Sequence, residues 1–201
     1  MFDAVICRSI AWPLDAGGRW LAARGIAADH VTVAGCIFGL AAAIAIALGH
    51  FWTGLALFVL NRLADGLDGA AARATAPTDR GGFLDIVLDF FVYAAIPLAF
   101  AVYDPAQNAL SAAILLASFL ANGSAFLAFA AVAARKGLVS SPHGPKSIHY
   151  LSGLAEGAET IAFFAAFCVL PAAFPVLALI FAVICLISAG ARLALGWKLL
   201  A

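Results

Sequence analysis

The chain has 201 residues, of which 65% are hydrophobic and 11% charged, with a mean hydropathy of +1.06. Soluble domains carry roughly 25% charged residues, so too few charges are present to cover a water-facing surface, and a soluble monomer is excluded. Eleven Lys and Arg balance eleven Asp and Glu, which leaves no basic excess for nucleic acid and no acidic tail for disorder. The four cysteines lack metal-ligand spacing, and Cys36, Cys168 and Cys185 lie in apolar runs where they read as small core residues. This is the composition of an integral membrane protein.

The first 28 residues hold apolar side chains broken by Asp3, Arg8, Asp15 and Arg19. They read as an interfacial juxtamembrane segment, residues 1–30, rather than as a cleaved signal, with Trp20 and Leu21 for lipid and Arg19 and Arg24 for headgroups. Pro13 and Gly17-Gly18 are expected to interrupt any single long helix there. From Val31 onward, apolar windows run at approximately 31–49, 53–72, 82–102, 108–134, 150–170 and 174–196. Each approaches the roughly 20 residues that a helix needs to cross the hydrocarbon core. The expected fold is all-α: a polytopic, six-transmembrane-helix catalytic domain over residues 31–201 behind the N-terminal interfacial helical segment.

With both termini on one side, that side receives Arg8, Arg19, Arg24, Arg73, Arg80, Arg135, Lys136, Lys146 and Lys198. The opposite connections, around His50, Asp104 and Pro171, hold no Lys or Arg. The positive-inside rule then predicts cytoplasmic termini. Arg62 and Arg192 fall inside the second and sixth spans, in the halves nearer that side. Abundant alanine hints at a GC-rich bacterial genome, so the bacterial inner membrane is the expected location.

Four of the eleven acidic residues, Asp65, Asp68, Asp85 and Asp89, fall within 25 residues, late in the second span and early in the third. Each Asp at the centre of a span opposes insertion by about 2.5–3.5 kcal/mol. Four together need partners: one another, water or cations. Asp65 and Asp68 are three residues apart and Asp85 and Asp89 four, so each pair shares a helix face. If the two spans form a hairpin turned between Arg73 and Arg80, Asp65 and Asp89 lie at matching depth, about 12 Å from the turn at 1.5 Å per residue. Gly66, Gly69, Ala70, Ala71, Ala72, Gly81 and Gly82 leave room for close helix approach and for a ligand at the backbone. Carboxylates without His or Cys favour Mg²⁺ or Mn²⁺ over zinc. Two divalent ions would cancel the four negative charges and leave a site open to an anionic diphosphate. Arg73 and Arg80 at the mouth suit phosphate contact, or serve only as topological charge.

Asp65-Gly-Leu-Asp68-Gly69-Ala-Ala-Ala72-Arg73, then Gly81, Asp85 and Asp89, resembles the motif of the CDP-alcohol phosphatidyltransferase family, D-x2-D-G-x2-A-R followed by G-x3-D-x3-D. Every fixed position is filled, with seven residues between Arg73 and Gly81. The resemblance implies that Asp65, Asp68 and Asp85 bind a metal pair, Mg²⁺ or Mn²⁺, while Asp89 completes the metal site and takes the proton from the attacking alcohol. It further implies that the nucleotide of a CDP-alcohol such as CDP-diacylglycerol sits against Gly69, Ala72 and Arg73, joined by Thr78. The family's P-N-x-x-T at the first span is Ala28-Asp29-His30-Val31-Thr32 here, so Thr32 matches while Asp29 departs from the pattern. Implied too are an alcohol hydroxyl as acceptor, release of CMP, a role in phospholipid biosynthesis and a homodimeric assembly. Asp89 is expected to act as a base through position.

Beyond residue 134 the remaining polarity gathers at Arg135 to Lys146, then His149, Glu156 and Glu159. Glu156 and Glu159 share a helix face. Lys146, His149, Glu156 and Glu159 form either an acceptor pocket or an internal ion-pair set that steadies the fifth span. Asn122 reads as an interhelical hydrogen-bonding residue. Two other classes also use intramembrane aspartates. A prenyltransferase would show about nine spans and an N-D-x-x-D pattern, whereas Asn61 precedes Arg62. A cation channel or transporter would not need the Gly-x-x-Ala-Arg spacing, and it would show polar faces on both sides of the bilayer.

Overall fold

The computed structural model describes residues 3–136 and 157–199, all of them in helices or short connections. Among these residues the helices are α1 (Asp3–Ala23), α2 (Ala28–Ala47), α3 (Phe51–Ala74), α4 (Asp79–Tyr103), α5 (Pro105–Arg135), α6 (Gly157–Val169) and α7 (Phe174–Leu199), with a 3-10 turn at Pro171–Ala173. They divide into two compact units, residues 1–106 and 107–201.

In the first unit α2 packs on α3 and α4, and α1 packs on α3. Two helix ends are set by glycine. Gly25 (φ 73°) follows α1 and Gly49 (φ 82°) follows α2. Each closes a pair of reversed bonds, Gly49 N to Ile46 O (2.9 Å) with His50 N to Ala45 O (2.8 Å), and Gly25 N to Ala22 O (3.0 Å) with Ile26 N to Leu21 O (3.1 Å). α4 starts on a side-chain cap, in which Thr78 Oγ1 accepts from the Gly81 amide at 3.0 Å. Ile46, Phe58, Val92, Ile96 and Phe100 fill the core between these helices. The helices approach closely where side chains are small: a Cβ at Gly39 would lie 2.5 Å from Val92 Cγ2.

The break expected at Pro13 and Gly17-Gly18 does not occur, since α1 runs unbroken from Asp3 to Ala23 with Pro13 inside it. The two glycines are contact points instead. A Cβ on Gly18 would come within 2.5 Å of the Ala70 backbone, and one on Gly17 within 2.7 Å of Leu67. Packing on α3 holds the helix together where local propensity alone would open it.

The second unit is aromatic. Phe163 stacks on Phe181 at 4.4 Å, Phe119 meets Phe181 edge-on at 5.4 Å, and Phe167 meets Phe174 at 5.0 Å. Phe164, Phe167, Phe174 and Phe181 are fully buried. Cys168 and Cys185 are buried free thiols, as is Cys36 in the first unit. Ser111 and Ser118 return their hydroxyls to carbonyls three residues back, at 2.9 and 2.7 Å, so these two buried hydroxyls are satisfied within their own helix.

Among the described residues, four stretches are long and apolar enough to cross a membrane: α2, α4, α5 and residues 171–199. α3 carries Arg62, Asp65 and Asp68 along its 24 residues, and α6 has 13 described residues. Leu110, Leu120, Leu193 and Trp197 are each more than 70% exposed. A surface of this kind is stable in lipid and not in water. The chain is an integral membrane protein.

Candidate active site

The site is built where α3 ends and α4 begins. The connection between them is short, so the last turns of one helix lie beside the first turns of the other. Asp65 and Asp68 come from α3 and Asp85 from α4, and their carboxylate oxygens lie within 4.8 Å of one another. Asp68 is 6% exposed, and its Oδ2 is buried without a hydrogen-bond partner. A buried carboxylate oxygen left in this state beside two further acids is costly. An all-oxygen, all-anionic donor set of this spread fits a hard divalent cation such as Mg²⁺ or Mn²⁺.

Asp89 is placed differently. Arg62 Nη2 donates to Asp89 Oδ1 at 2.6 Å, and Nη1 approaches Oδ2 at 3.4 Å. The same guanidinium lies 3.6 Å from Asp65 Oδ2. It also donates to Asn61 Oδ1 (2.8 Å) and Tyr93 Oη (3.2 Å). Asn61 is fixed in turn by donating to the Gly35 carbonyl at 2.9 Å.

Asp68 and Asp85 open into a cleft of about 460 Å³, walled by the end of α1, the start of α2, the end of α3 and the start of α4. Its lining includes Thr32, Gly69, Ala72, Thr78 and Gly81, with Asp29 and Arg80. A narrow neighbouring space is lined by Cys36, Asn61, Asp65 and Asp89, and it shares Thr32, Asp68 and Asp85 with the cleft. Gly81 is closely surrounded: a Cβ there would lie 3.1 Å from Thr78 Oγ1 and 3.2 Å from Asp29 Oδ1, so those side chains would have to give by a few tenths of an ångström.

Of the residues expected to meet the nucleotide, Thr32, Gly69, Ala72 and Thr78 therefore share one cleft. Thr32 Oγ1 donates to the Ala28 carbonyl at 3.1 Å. Arg73 does not line the cleft; its Nη2 lies 3.1 Å from Asp15 of α1. Arg80 lines it instead, bound to Asp29 at 2.6 Å. Glu159 is half-buried in the first turn of α6. Lys146, His149 and Glu156 lie outside the described residues. The contact that sequence reasoning missed is Arg62 with Asp89. Its signal was present: an arginine inside a span, one turn before Asp65 and so on its face of the helix.

Asp65, Asp68 and Asp85 thus form a set that could hold a metal ion, beside a cleft of about 460 Å³ at the ends of apolar helices. The family model of CDP-alcohol phosphatidyltransferase matches residues 25–193, and the chain belongs to that family. It is therefore a transferase that uses a CDP-alcohol and an alcohol acceptor in phospholipid biosynthesis. Among similar proteins, inner membrane protein YnjF of Escherichia coli (strain K12) is 45% identical over 179 residues, covering 89% of this chain and 87% of that protein. Archaetidylinositol phosphate synthase of Methanothermobacter thermautotrophicus is 44% identical over 63 residues, 31% of this chain and 32% of its own length.

Proposed function

We propose that the protein moves a phosphatidyl group from CDP-diacylglycerol to a hydroxyl acceptor and releases CMP, at a cytoplasm-facing site in the bacterial inner membrane. The observation that carries this reading is the convergence of Asp65, Asp68 and Asp85 within 4.8 Å at the edge of the cleft. These three carboxylates, with Asp89 completing the site, would hold two Mg²⁺ or Mn²⁺ ions. When bound, the metal neutralises the diphosphate and draws electron density from the phosphorus under attack. Thr32, Gly69, Ala72 and Thr78 receive the cytidine and its phosphates, with Arg73 near the mouth. Asp89 accepts the hydroxyl proton as the acceptor oxygen attacks phosphorus. The bond to the CMP oxygen breaks, and CMP leaves with the electron pair. Anhydride cleavage near the ends of α3 and α4 suits a lipid donor, whose tails stay in the bilayer while its head reaches water.

Six spans, cytoplasmic termini and a homodimer complete the reading. The topology is supported by the one-sided distribution of Lys and Arg together with the name inner membrane protein carried by the Escherichia coli relative, and the homodimer by family membership alone. Lys146, His149, Glu156 and Glu159 are the proposed acceptor-binding set. The name of the archaeal relative makes an inositol phosphate one acceptor to try. The test is CMP release by the purified protein with CDP-diacylglycerol, Mg²⁺ and glycerol phosphate, serine, inositol or inositol phosphate, beside Asp89→Asn. Release with one acceptor, lost in the variant, is the expected result. No release with any acceptor, together with no metal-dependent binding of CDP-diacylglycerol, would overturn the reading.

A further inference from the structure

We propose that Arg80 is a further binding residue for the anionic nucleotide, meeting one of its phosphates at the mouth of the cleft, and that Asp29 is the positioning residue that aims it; the inference rests on the transferase reading above. Among the described residues that line the cleft, Asp29, Asp68 and Asp85 are acids and Arg80 is the one basic side chain. Arg73, the arginine of the motif, is turned to Asp15 and lies outside that lining. Arg80 is no fixed position of the motif, and Asp29 departs from the first-span pattern. Their ion pair therefore lies outside what the motif encodes. It joins the first turn of α2 to the first turn of α4, between residues 51 apart in sequence.

The two partners are not equivalent. The Asp29 side chain is 19% exposed and that of Arg80 79%, so the acid is a shielded anchor and the guanidinium an open arm. Asp29 Oδ1 is lodged against the first turn of α4, 3.2 Å from where a Cβ of Gly81 would stand. Its Oδ2 accepts from Arg80 Nε at 2.9 Å and lies 2.6 Å from Nη2. Asp29 thus engages one edge of the guanidinium fork. The other end, with both hydrogens of Nη1, is left for a second acceptor. An arginine already oriented in this way loses less rotamer freedom when it takes a phosphate than a free one does. Stability does not account for the pair, because an ion pair this open to water contributes little. Asp29 also carries a charge that repels an anion. Orientation and repulsion act in opposite directions when Asp29 is removed, so one measurement separates them.

CDP binding by the detergent-solubilised full chain in Mg²⁺, measured by calorimetry, tests the pair without turnover. Arg80→Ala should weaken CDP binding by about 10-fold, and Arg80→Gln, which keeps length without charge, by nearly as much. Asp29→Ala should weaken it by about 3-fold, and the double variant should bind no worse than Arg80→Ala alone. Raising NaCl from about 50 to about 300 mM should weaken wild-type binding by about 3-fold more than it weakens binding by Arg80→Ala. In turnover, Arg80→Ala should raise the KM for CDP-diacylglycerol by about 10-fold with kcat within about 2-fold. Unfolding midpoints of these variants should stay at the wild-type value, which a merely structural pair would not allow. Arg80→Ala binding CDP as tightly as the wild type would overturn the proposal and leave Arg80 as topological charge. Tighter binding by Asp29→Ala, or an equal loss on removing Asp29 where Arg80 is already absent, would overturn the positioning role. Failure of the wild type itself to bind CDP in Mg²⁺ would count against the transferase reading, and this inference would fall with it.

Discussion

α3 and α7 have similar lengths, 24 and 26 residues, and each carries an arginine among apolar neighbours, but the surroundings of the two arginines differ in kind. Arg62 faces Asp89 and Asp65. Arg192 donates to the amide oxygen of Asn122 at 2.6 Å and lies over the Phe126 ring. The contrast extends to the units that hold them. Nine of the eleven acids precede Gln107, and only Glu156 and Glu159 follow it. The first unit gathers charge into one cluster beside a cleft, whereas the second is organised by stacked phenylalanines. Charge inside a membrane is tolerated where opposite charges or cations answer it, so it collects in one place and leaves the rest of the fold to apolar packing.

If this separation holds, changes in the first unit should damage chemistry and changes in the second should damage stability. The largest effect is expected for Asp85→Asn, with CMP release falling by about 10³-fold and Mn²⁺ binding falling with it. Unimpaired metal binding in that variant would break the comparison. Phe181→Ala, at the centre of the aromatic core, should cost about 3–4 kcal/mol of stability, read as a lowered unfolding midpoint in detergent. Mn²⁺ affinity of the folded fraction should stay at the wild-type value. Gly18→Val should cost about 1–3 kcal/mol by forcing α1 off Ala70 of α3. Because α1 also walls the cleft, its KM for CDP-diacylglycerol should rise, and an unchanged melting profile would show that α1 does not bear on α3. The smallest effect belongs to Glu159→Gln, which sharpens the comparison from the other side. A rise of about 3–10-fold in the KM for the acceptor, with Mn²⁺ affinity unchanged, would give the second unit a part in choosing the alcohol. A loss of stability alone would make Glu159 part of an ion-pair set.

The relation between Arg73 and Arg80 shows how far residue patterns reach. Both stand at the mouth of the hairpin, and the family motif singles out Arg73. In the structure Arg73 pairs with Asp15, 58 residues away, while Arg80 reaches Asp29, 51 residues away, and lines the cleft. Neither partner is visible in local spacing. Thr78 is the opposite case: it stands three residues before Gly81 and caps its amide, a pattern that short-range sequence carries by itself.

Sequence alone determined what depends on composition and on contacts within a few residues. The apolar windows at 31–49, 53–72, 82–102, 108–134 and 174–196 fall on α2, α3, α4, α5 and α7, and the i, i+3 and i, i+4 spacings put the aspartates on shared faces. These are local properties, because transfer into lipid is summed residue by residue and helical geometry repeats every 3.6 residues. Only the tertiary structure decided which of four equivalent carboxylates converge and which one is held by Arg62, that α1 runs unbroken along α3, and which arginine faces the cleft. Each of these depends on how one helix is rotated and set against another. That is fixed by side chains meeting across long sequence separations, as Gly18 meets Ala70 and Gly39 meets Val92, and no local pattern records it.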